Sequence, residues 1–158
     1  MSEPIFLSEY DGLIREVLES DGEFRIYPRG TSMLPLLRQG KDSVALRKLT
    51  RPPQKFDILF YQRPDGSYIL HRVKKATPAG MTMWGDNQYM LEHGVQEAQI
   101  IGYVARIFRE DREVDTGSFG YCAYLWLWQF WVLRRVALPL FYRIRRMRNH
   151  AGTGNNQI

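Results

Sequence analysis

The sequence predicts a mainly β domain with an N-terminal amphipathic helix and a C-terminal helix rich in aromatic and basic residues. Short runs of β-branched and aromatic residues, separated by Gly and Pro, follow one another from residue 24 to residue 108. Apolar residues at helical spacing occur before and after that stretch. A chain of 158 residues also has the size of one domain with an appended segment.

The predicted elements follow in order along the chain. The first helix ends at Gly22 and places its apolar residues on one face: Tyr10, Leu13, Ile14, Val17 and Leu18. The predicted strands are FRIY (24–27), SVAL (43–46), DILFY (57–61), YILHRV (68–73), MTMW (81–84) and IIGYVARIF (100–108). We therefore expect a β-domain with its helix over residues 1–118, an amphipathic helical segment over 119–149 and a disordered tail over 150–158.

Charge and composition narrow the classes of function. The net charge of +5 is uneven, because six arginines lie between residues 134 and 148. The single cysteine, Cys122, excludes an internal disulfide and a cysteine-based zinc cage, and it fits a reducing compartment such as the cytosol. The opening residues lack a basic region followed by an apolar stretch, so we expect neither a secretory signal nor an N-terminal membrane anchor.

The segment PRGTSMLP, residues 28–35, raises the question whether Ser32 is a nucleophile. A turn capped by Thr31 or Ser32 and fixed by Pro35 is the commoner explanation of such a segment. A nucleophilic serine needs a base near it, so the question depends on the rest of the chain.

A candidate base lies in the strand YILHRV. His71 shares its side of this predicted strand with Ile69 and Val73, so the imidazole projects from a rigid and mostly apolar surface. Such a rigid, apolar environment suits a general base that is neutral near pH 7, and it equally suits a buried structural histidine.

A candidate acid follows the next strand. The stretch WGDNQYMLEHG offers Asp86, Asn87 and Glu92 in a predicted loop. A carboxylate that holds the histidine tautomer would complete a Ser–His–acid arrangement, whereas a Gly-Asp-Asn loop can also be a simple turn.

Together, GTSMLPLLRQGKDSVAL, FDILFYQRPDGSYILHRV and WGDNQ resemble the successive motifs of the signal-peptidase-I-like serine peptidases, over about residues 24–108. The resemblance implies the coiled β-domain that signal peptidases share with the SOS-repressor autopeptidases. The sequence His71-Arg72-Val73 is similar to the histidine-using branch found in archaea and in the endoplasmic-reticulum complex. Bacterial type I signal peptidases use lysine, and Lys74 and Lys75, beyond the expected point of the strand, are the rival bases.

The resemblance implies a serine endopeptidase that cleaves a peptide or leader segment through an acyl-enzyme, without metal or cofactor. It makes Ser32 the nucleophile, His71 the base and the backbone amide of Ser32 an oxyanion donor. We expect Asp86 to be the orienting acid, ahead of Glu92 as the alternative acid.

Two features depart from the family's pattern. Gly30 stands where signal peptidases often have a serine that helps to stabilise the oxyanion. The N-terminal transmembrane helix of the secretory enzymes is also missing, so we do not expect a housekeeping signal peptidase.

An alternative class is a catalytically degenerate peptidase fold that binds peptides or membrane. The residues expected to line a groove for an extended peptide are Met33, Leu34, Ile69 and Leu70.

The C-terminal segment, residues 121–149, is apolar until Arg134 and Arg135 interrupt it, short of the roughly twenty residues of a transmembrane helix. It predicts either an interfacial helix on an anionic membrane surface or a helix packed on the core. The residues expected to face the membrane are Trp126, Trp128, Trp131, Arg134 and Arg135. We expect a cytoplasmic protein, peripheral on the inner face of the membrane. Nucleic acid is not an expected partner, because no helix-turn-helix, zinc or RNA-binding pattern accompanies the arginines.

Overall fold

An antiparallel β-sheet dominates the first of the two units, residues 1–116 and 117–158, into which the chain divides. The computed structural model describes residues 7–130 and residue 143. Helix α1 spans Leu7–Glu19. The strands are β1 Phe24–Ile26, β2 Asp42–Arg47, β3 Ile58–Gln62, β4 Tyr68–Thr77, β5 Gly80–Trp84, β6 Glu92–Val95, β7 Ile100–Arg109 and β8 Arg112–Glu113. A 3-10 turn, Glu97–Gln99, precedes β7.

The described strands form one sheet in the order β1-β2-β7-β3-β4-β5-β6, with β8 paired to β7. Every pairing is antiparallel. The prediction of a mainly β protein is therefore confirmed. Strands β6 and β8 were not predicted, because EHGV and RE are short and lack the alternation of apolar residues that marks a half-buried strand.

One cluster of the core lies on one face of strands β3 to β6. The hairpin register sets Leu59 opposite His71 and Tyr61 opposite Ile69, so the odd-numbered residues of both strands share this face. The buried side chains of the cluster are Leu59, Tyr61, Val73, Met81, Met83 and Val95.

Helix α1 packs against the sheet through part of its apolar face. Ile14 and Leu18 are fully buried, whereas Tyr10 and Leu13 stay exposed. A Cβ atom at Gly102 of β7 would lie 2.9 Å from the Leu18 side chain and 2.8 Å from the carbonyl oxygen of Arg47. The absence of a side chain at this glycine therefore lets the helix approach the strand.

The described part of the second unit is helix α2, Phe119–Trp128. The Ser118 side chain caps it by accepting a hydrogen bond from the backbone amide of Tyr121. In the part of the chain that the structure describes, no helix combines the length and the apolar character of a membrane span. The predictions for Trp131, Arg134, Arg135 and the tail at 150–158 lie outside the described residues.

Candidate active site

Ser32 stands at the start of a turn that apolar side chains anchor to the domain. The amide of Leu34 donates to the carbonyl of Thr31 at 3.2 Å, and the amide of Leu37 donates to the carbonyl of Met33 at 2.9 Å. Met33, Leu34 and Leu37 are buried, whereas Ser32 is half-buried. The turn thus holds a serine at the surface on a rigid base.

The Gly-Asp-Asn loop after β5 grips this turn. The backbone amide of Asn87 donates to the carbonyl oxygen of Ser32 at 2.7 Å, and its side-chain amide donates to the carbonyl oxygen of Thr31 at 2.9 Å. A Cβ atom at Gly85 would lie 2.7 Å from the same Ser32 oxygen. Glycine permits this close approach, so two residues of the motif position the candidate nucleophile.

Asp86, the acid expected to orient His71, is bound by Arg72 instead. Arg72 Nε donates to Asp86 Oδ1 at 2.9 Å, and Nη2 donates to Oδ2 at 2.8 Å. The two side chains are 1% and 0% exposed. Arg72 also donates to the carbonyl of Phe56 at 3.0 Å. A deeply buried carboxylate needs a cation, and Arg72 supplies it. The preference for Asp86 over Glu92 as the orienting acid stays a prediction.

His71 lies on β4, only 3% exposed. Its Nδ1 atom is 3.4 Å from the hydroxyl of Tyr61 and 3.8 Å from Oε2 of Glu92. Burial lowers the pKa of His71 to about 4, although the charge of Glu92 acts in the opposite direction. The imidazole is consequently neutral at pH 7, as a general base must be.

Glu92 belongs to a network of three side chains beside His71. Arg63 donates to both of its carboxylate oxygens, at 2.7 Å and 2.6 Å, and the Tyr61 hydroxyl donates to Oε2 at 2.7 Å. The hydrogen bonds from Arg63 lower the pKa of Glu92, although burial acts in the opposite direction. The pKa of the Tyr61 hydroxyl is raised, first by burial and second by its hydrogen bond to Glu92. The acid nearest to His71 by these contacts is thus an ionised Glu92.

A cavity of about 680 Å³ brings Ser32 and His71 together in its lining. Among the residues expected to form a groove, Met33, Ile69 and Leu70 line this cavity, whereas Leu34 is buried elsewhere in the core. Aromatic and arginine side chains complete much of the wall: Tyr10, Phe24, Arg25, Tyr27, Arg29, Phe60, Arg63 and Tyr68.

The two rival bases lie away from this cavity. Lys74 and Lys75 are exposed and absent from the lining. The ammonium group of Lys74 lies 5.7 Å from the centre of the Trp84 ring, which is a cation–π distance. Of the three basic residues considered, His71 alone shares a cavity with Ser32.

The backbone explains the glycine that departs from the family's pattern. Gly30 has a φ of +86°, in the left-handed region that side chains disfavour, and its amide donates to Oε1 of Gln39 at 2.9 Å. A serine at this position would be strained. Among the described residues, none accepts a hydrogen bond from the backbone amide of Ser32, so this donor is available.

Tyr61 and Arg63 were not identified from the sequence as site residues. The turn residues RPDGS could have identified them, because a tight hairpin at this turn pairs Gln62 with Tyr68. That pairing places Tyr61 diagonally beside His71 on the neighbouring strand. Glu92 needs strand β6, where it pairs with Met83, and that strand has no clear sequence signature.

Comparison with known proteins assigns this site to no family. No protein-family model, no curated protein and no solved structure matches the chain. Within the described residues, His, Cys, Asp and Glu side chains form no group of three that could hold a metal ion.

Proposed function

We propose that the protein is a serine endopeptidase that cleaves a peptide or leader segment, with Ser32 as nucleophile and His71 as general base. The observation that carries this proposal is the shared cavity, in which a half-buried serine on a fixed turn accompanies a buried, neutral histidine. This pair supplies the two groups that acyl transfer by a serine hydroxyl requires.

The reaction follows from these positions. His71 takes the proton of the Ser32 hydroxyl while the oxygen attacks the substrate carbonyl, and the backbone amide of Ser32 donates to the oxyanion. The proton then passes from His71 to the leaving amine as the C–N bond breaks. Water, with His71 again as base, hydrolyses the resulting ester and restores Ser32.

Glu92 takes the place first expected for Asp86 in this mechanism. Its carboxylate lies 3.8 Å from Nδ1 of His71, and it stabilises the positive charge that His71 acquires during the reaction. Asp86 has a structural role, because its oxygens already accept from Arg72.

The sheet offers a way to bind an extended peptide. Strand β1 is at the end of the strand order and pairs only with β2 among the described strands. The residues of β1 and residues 27–30, which follow it, line the same cavity as Ser32. A substrate added along this edge would present its carbonyl to the serine, while Met33, Ile69 and Leu70 contact its side chains.

Labelling with a fluorophosphonate probe tests the proposal directly. We expect the full-length chain to be labelled, and Ser32→Ala and His71→Ala to lose the label. Ser67→Ala, which removes a hydroxyl hydrogen-bonded to Asp65 in the hairpin turn, is the matched control and keeps it. Equal labelling of wild type and Ser32→Ala would refute the proposal that Ser32 is the nucleophile of a serine peptidase. A chain that is not labelled but binds peptides would support the degenerate module.

We further propose that the second unit contacts an anionic membrane surface through α2. Residues 119–130 contain no charged residue, and large apolar side chains of this stretch are exposed: Phe119, Trp126, Leu127 and Phe130. Aromatic residues of this kind favour the headgroup region of a bilayer.

Co-sedimentation with vesicles that contain an anionic lipid tests this contact. The protein is expected to bind in a salt-sensitive way, because the sequence of the same unit contains six arginines between residues 134 and 148. The double variant Trp126→Ala/Leu127→Ala is expected to bind at least severalfold less. Tyr89→Ala removes an exposed aromatic side chain from the first unit and serves as the control. Equal binding of all three proteins would exclude α2 as the contact.

A further inference from the structure

The hydroxyl of Tyr61 lies between Glu92 and His71. It is 2.7 Å from Oε2 of Glu92 and 3.4 Å from Nδ1 of His71, the second being a long hydrogen bond. The rings of Tyr61 and His71 meet edge to face, with their centres 6.4 Å apart. Tyr61 and His71 are both buried, so these contacts are shielded from bulk water.

The hydrogen atoms of this arrangement can be assigned. A phenol has one proton to donate and lone pairs to accept. The carboxylate of Glu92, bound by both arms of Arg63, can only accept, so the proton of Tyr61 points towards Glu92. The oxygen of Tyr61 also interacts with the guanidinium of Arg63, and its other lone pair can accept a hydrogen bond from Nδ1 of His71.

We propose that Tyr61 is a positioning residue that holds His71 in the tautomer protonated at Nδ1. This inference rests on the proposed function and names the residue through which Glu92 acts on the base. In this arrangement the neutral hydroxyl of Tyr61 makes the hydrogen bonds to both Glu92 and His71. The carboxylate is therefore not itself the hydrogen-bond acceptor of Nδ1.

The consequence for catalysis lies at the other ring nitrogen. No described residue forms a hydrogen bond with Nε2 of His71, and His71 lines the cavity that contains Ser32. With Nδ1 protonated, Nε2 carries the lone pair that takes the proton from the serine. During that step the Nδ1 proton stays on His71 and the phenolic proton stays on Tyr61, so no proton travels to Glu92.

Nitrogen NMR of the histidine side chains tests this assignment without any substrate. The full chain is labelled with ¹⁵N, and His71→Gln identifies the signals of His71 among the three histidines. At pH 7 we expect a neutral imidazole with Nδ1 protonated and Nε2 bare. A wild-type spectrum with Nε2 protonated would overturn the proposal, and this measurement needs no variant at Tyr61.

Tyr61→Phe then isolates the hydroxyl. We expect His71 to lose its preference for the Nδ1 proton, and the rate of fluorophosphonate labelling to fall about ten- to a hundredfold at pH 7. Tyr103→Phe, a half-buried tyrosine on β7 outside the cavity, is the matched control and should change neither. Retention of the wild-type tautomer and rate in Tyr61→Phe would contradict the proposal.

The two measurements separate this inference from the proposed function. If Ser32 is never labelled but His71 shows the Nδ1 tautomer and loses it in Tyr61→Phe, the peptidase fails and the positioning contact stands. If Ser32→Ala abolishes labelling but His71 is protonated at Nε2, the peptidase stands and Tyr61 does not position its base.

Discussion

Asp86 and Glu92 are two carboxylates near the same histidine, and their surroundings give them different tasks. Asp86 is fully buried, and Arg72 occupies both of its oxygens. Glu92 is 24% exposed and divides its oxygens between Arg63 and Tyr61, the second of which contacts His71. The charges of both carboxylates act on His71, that of Glu92 more strongly. A carboxylate held by a buried cation contributes mainly to the fold, whereas one that contacts the partner of a titratable group can affect chemistry.

The largest expected effect is on stability, in Asp86→Asn. Removal of this charge leaves the buried guanidinium of Arg72 without its carboxylate partner, which should cost about 3–5 kcal/mol of the free energy of unfolding. Denaturant unfolding measures it, with Asp111→Asn, an exposed ion-pair partner of Arg25, expected to change by less than about 0.5 kcal/mol. A stable Asp86→Asn protein that is labelled slowly would restore Asp86 as the orienting acid.

The second effect is on rate, in Glu92→Gln. The neutral amide no longer stabilises a protonated His71, so probe labelling should slow by about ten- to a hundredfold. Glu92 is partly exposed to water, which limits the loss of stability to about 1–2 kcal/mol. Glu97→Gln, on the 3-10 turn, is the control for the substitution. Unchanged labelling in Glu92→Gln would leave a Ser–His dyad.

The third effect is a dependence of stability on pH that His71 produces. Its pKa falls from 6.5 to about 4 on folding, because burial disfavours the charged ring, so the unfolded chain binds a proton that the folded chain refuses. Stability should therefore decrease as pH falls from about 6.5 towards 4, by no more than about 3 kcal/mol.

Unfolding of wild type and His71→Gln at pH 7 and pH 5 measures this contribution. His71→Gln should show the smaller decrease between the two values. The lowered pKa of Glu92 adds its own acid sensitivity only at a lower pH, below its ordinary value of 4.5. Equal decreases in both proteins would show that His71 does not titrate as its burial demands.

The smallest expected effect is in Lys74→Ala. Lys74 is exposed and outside the cavity, so labelling and stability should stay within about twofold and about 0.5 kcal/mol of wild type. If the rate instead rises with a midpoint far above the pH range of a histidine, and this rise is absent in Lys74→Ala, the general base is Lys74. Neither Asp86 nor Glu92 would then orient the base through His71.

The sheet could be predicted further than the site. Alternation and turn residues located the strand of His71 and its hairpin with Tyr61, because these signals are local in the sequence. The acid was harder, since Asp86 and Glu92 follow one another in a region without periodicity. The pairing of Met83 with Glu92 across β5 and β6 brings Glu92 towards Tyr61 and His71, and it depends on where the whole strand packs.

His71 and Arg72 are neighbours on β4, so their side chains point to opposite faces of the sheet. A slip of β4 by one residue against β3 would move Arg72 from its place opposite Ile58 to one opposite Asp57 or Leu59. The guanidinium would then point to the face that His71 now occupies, and Asp86 would lose its cation. The cost of an unpaired Asp86 therefore selects one alignment of the strand as the chain folds. The location of His71 depends on that selection, so an ion pair that takes no part in the proposed reaction determines how accurately the base is placed.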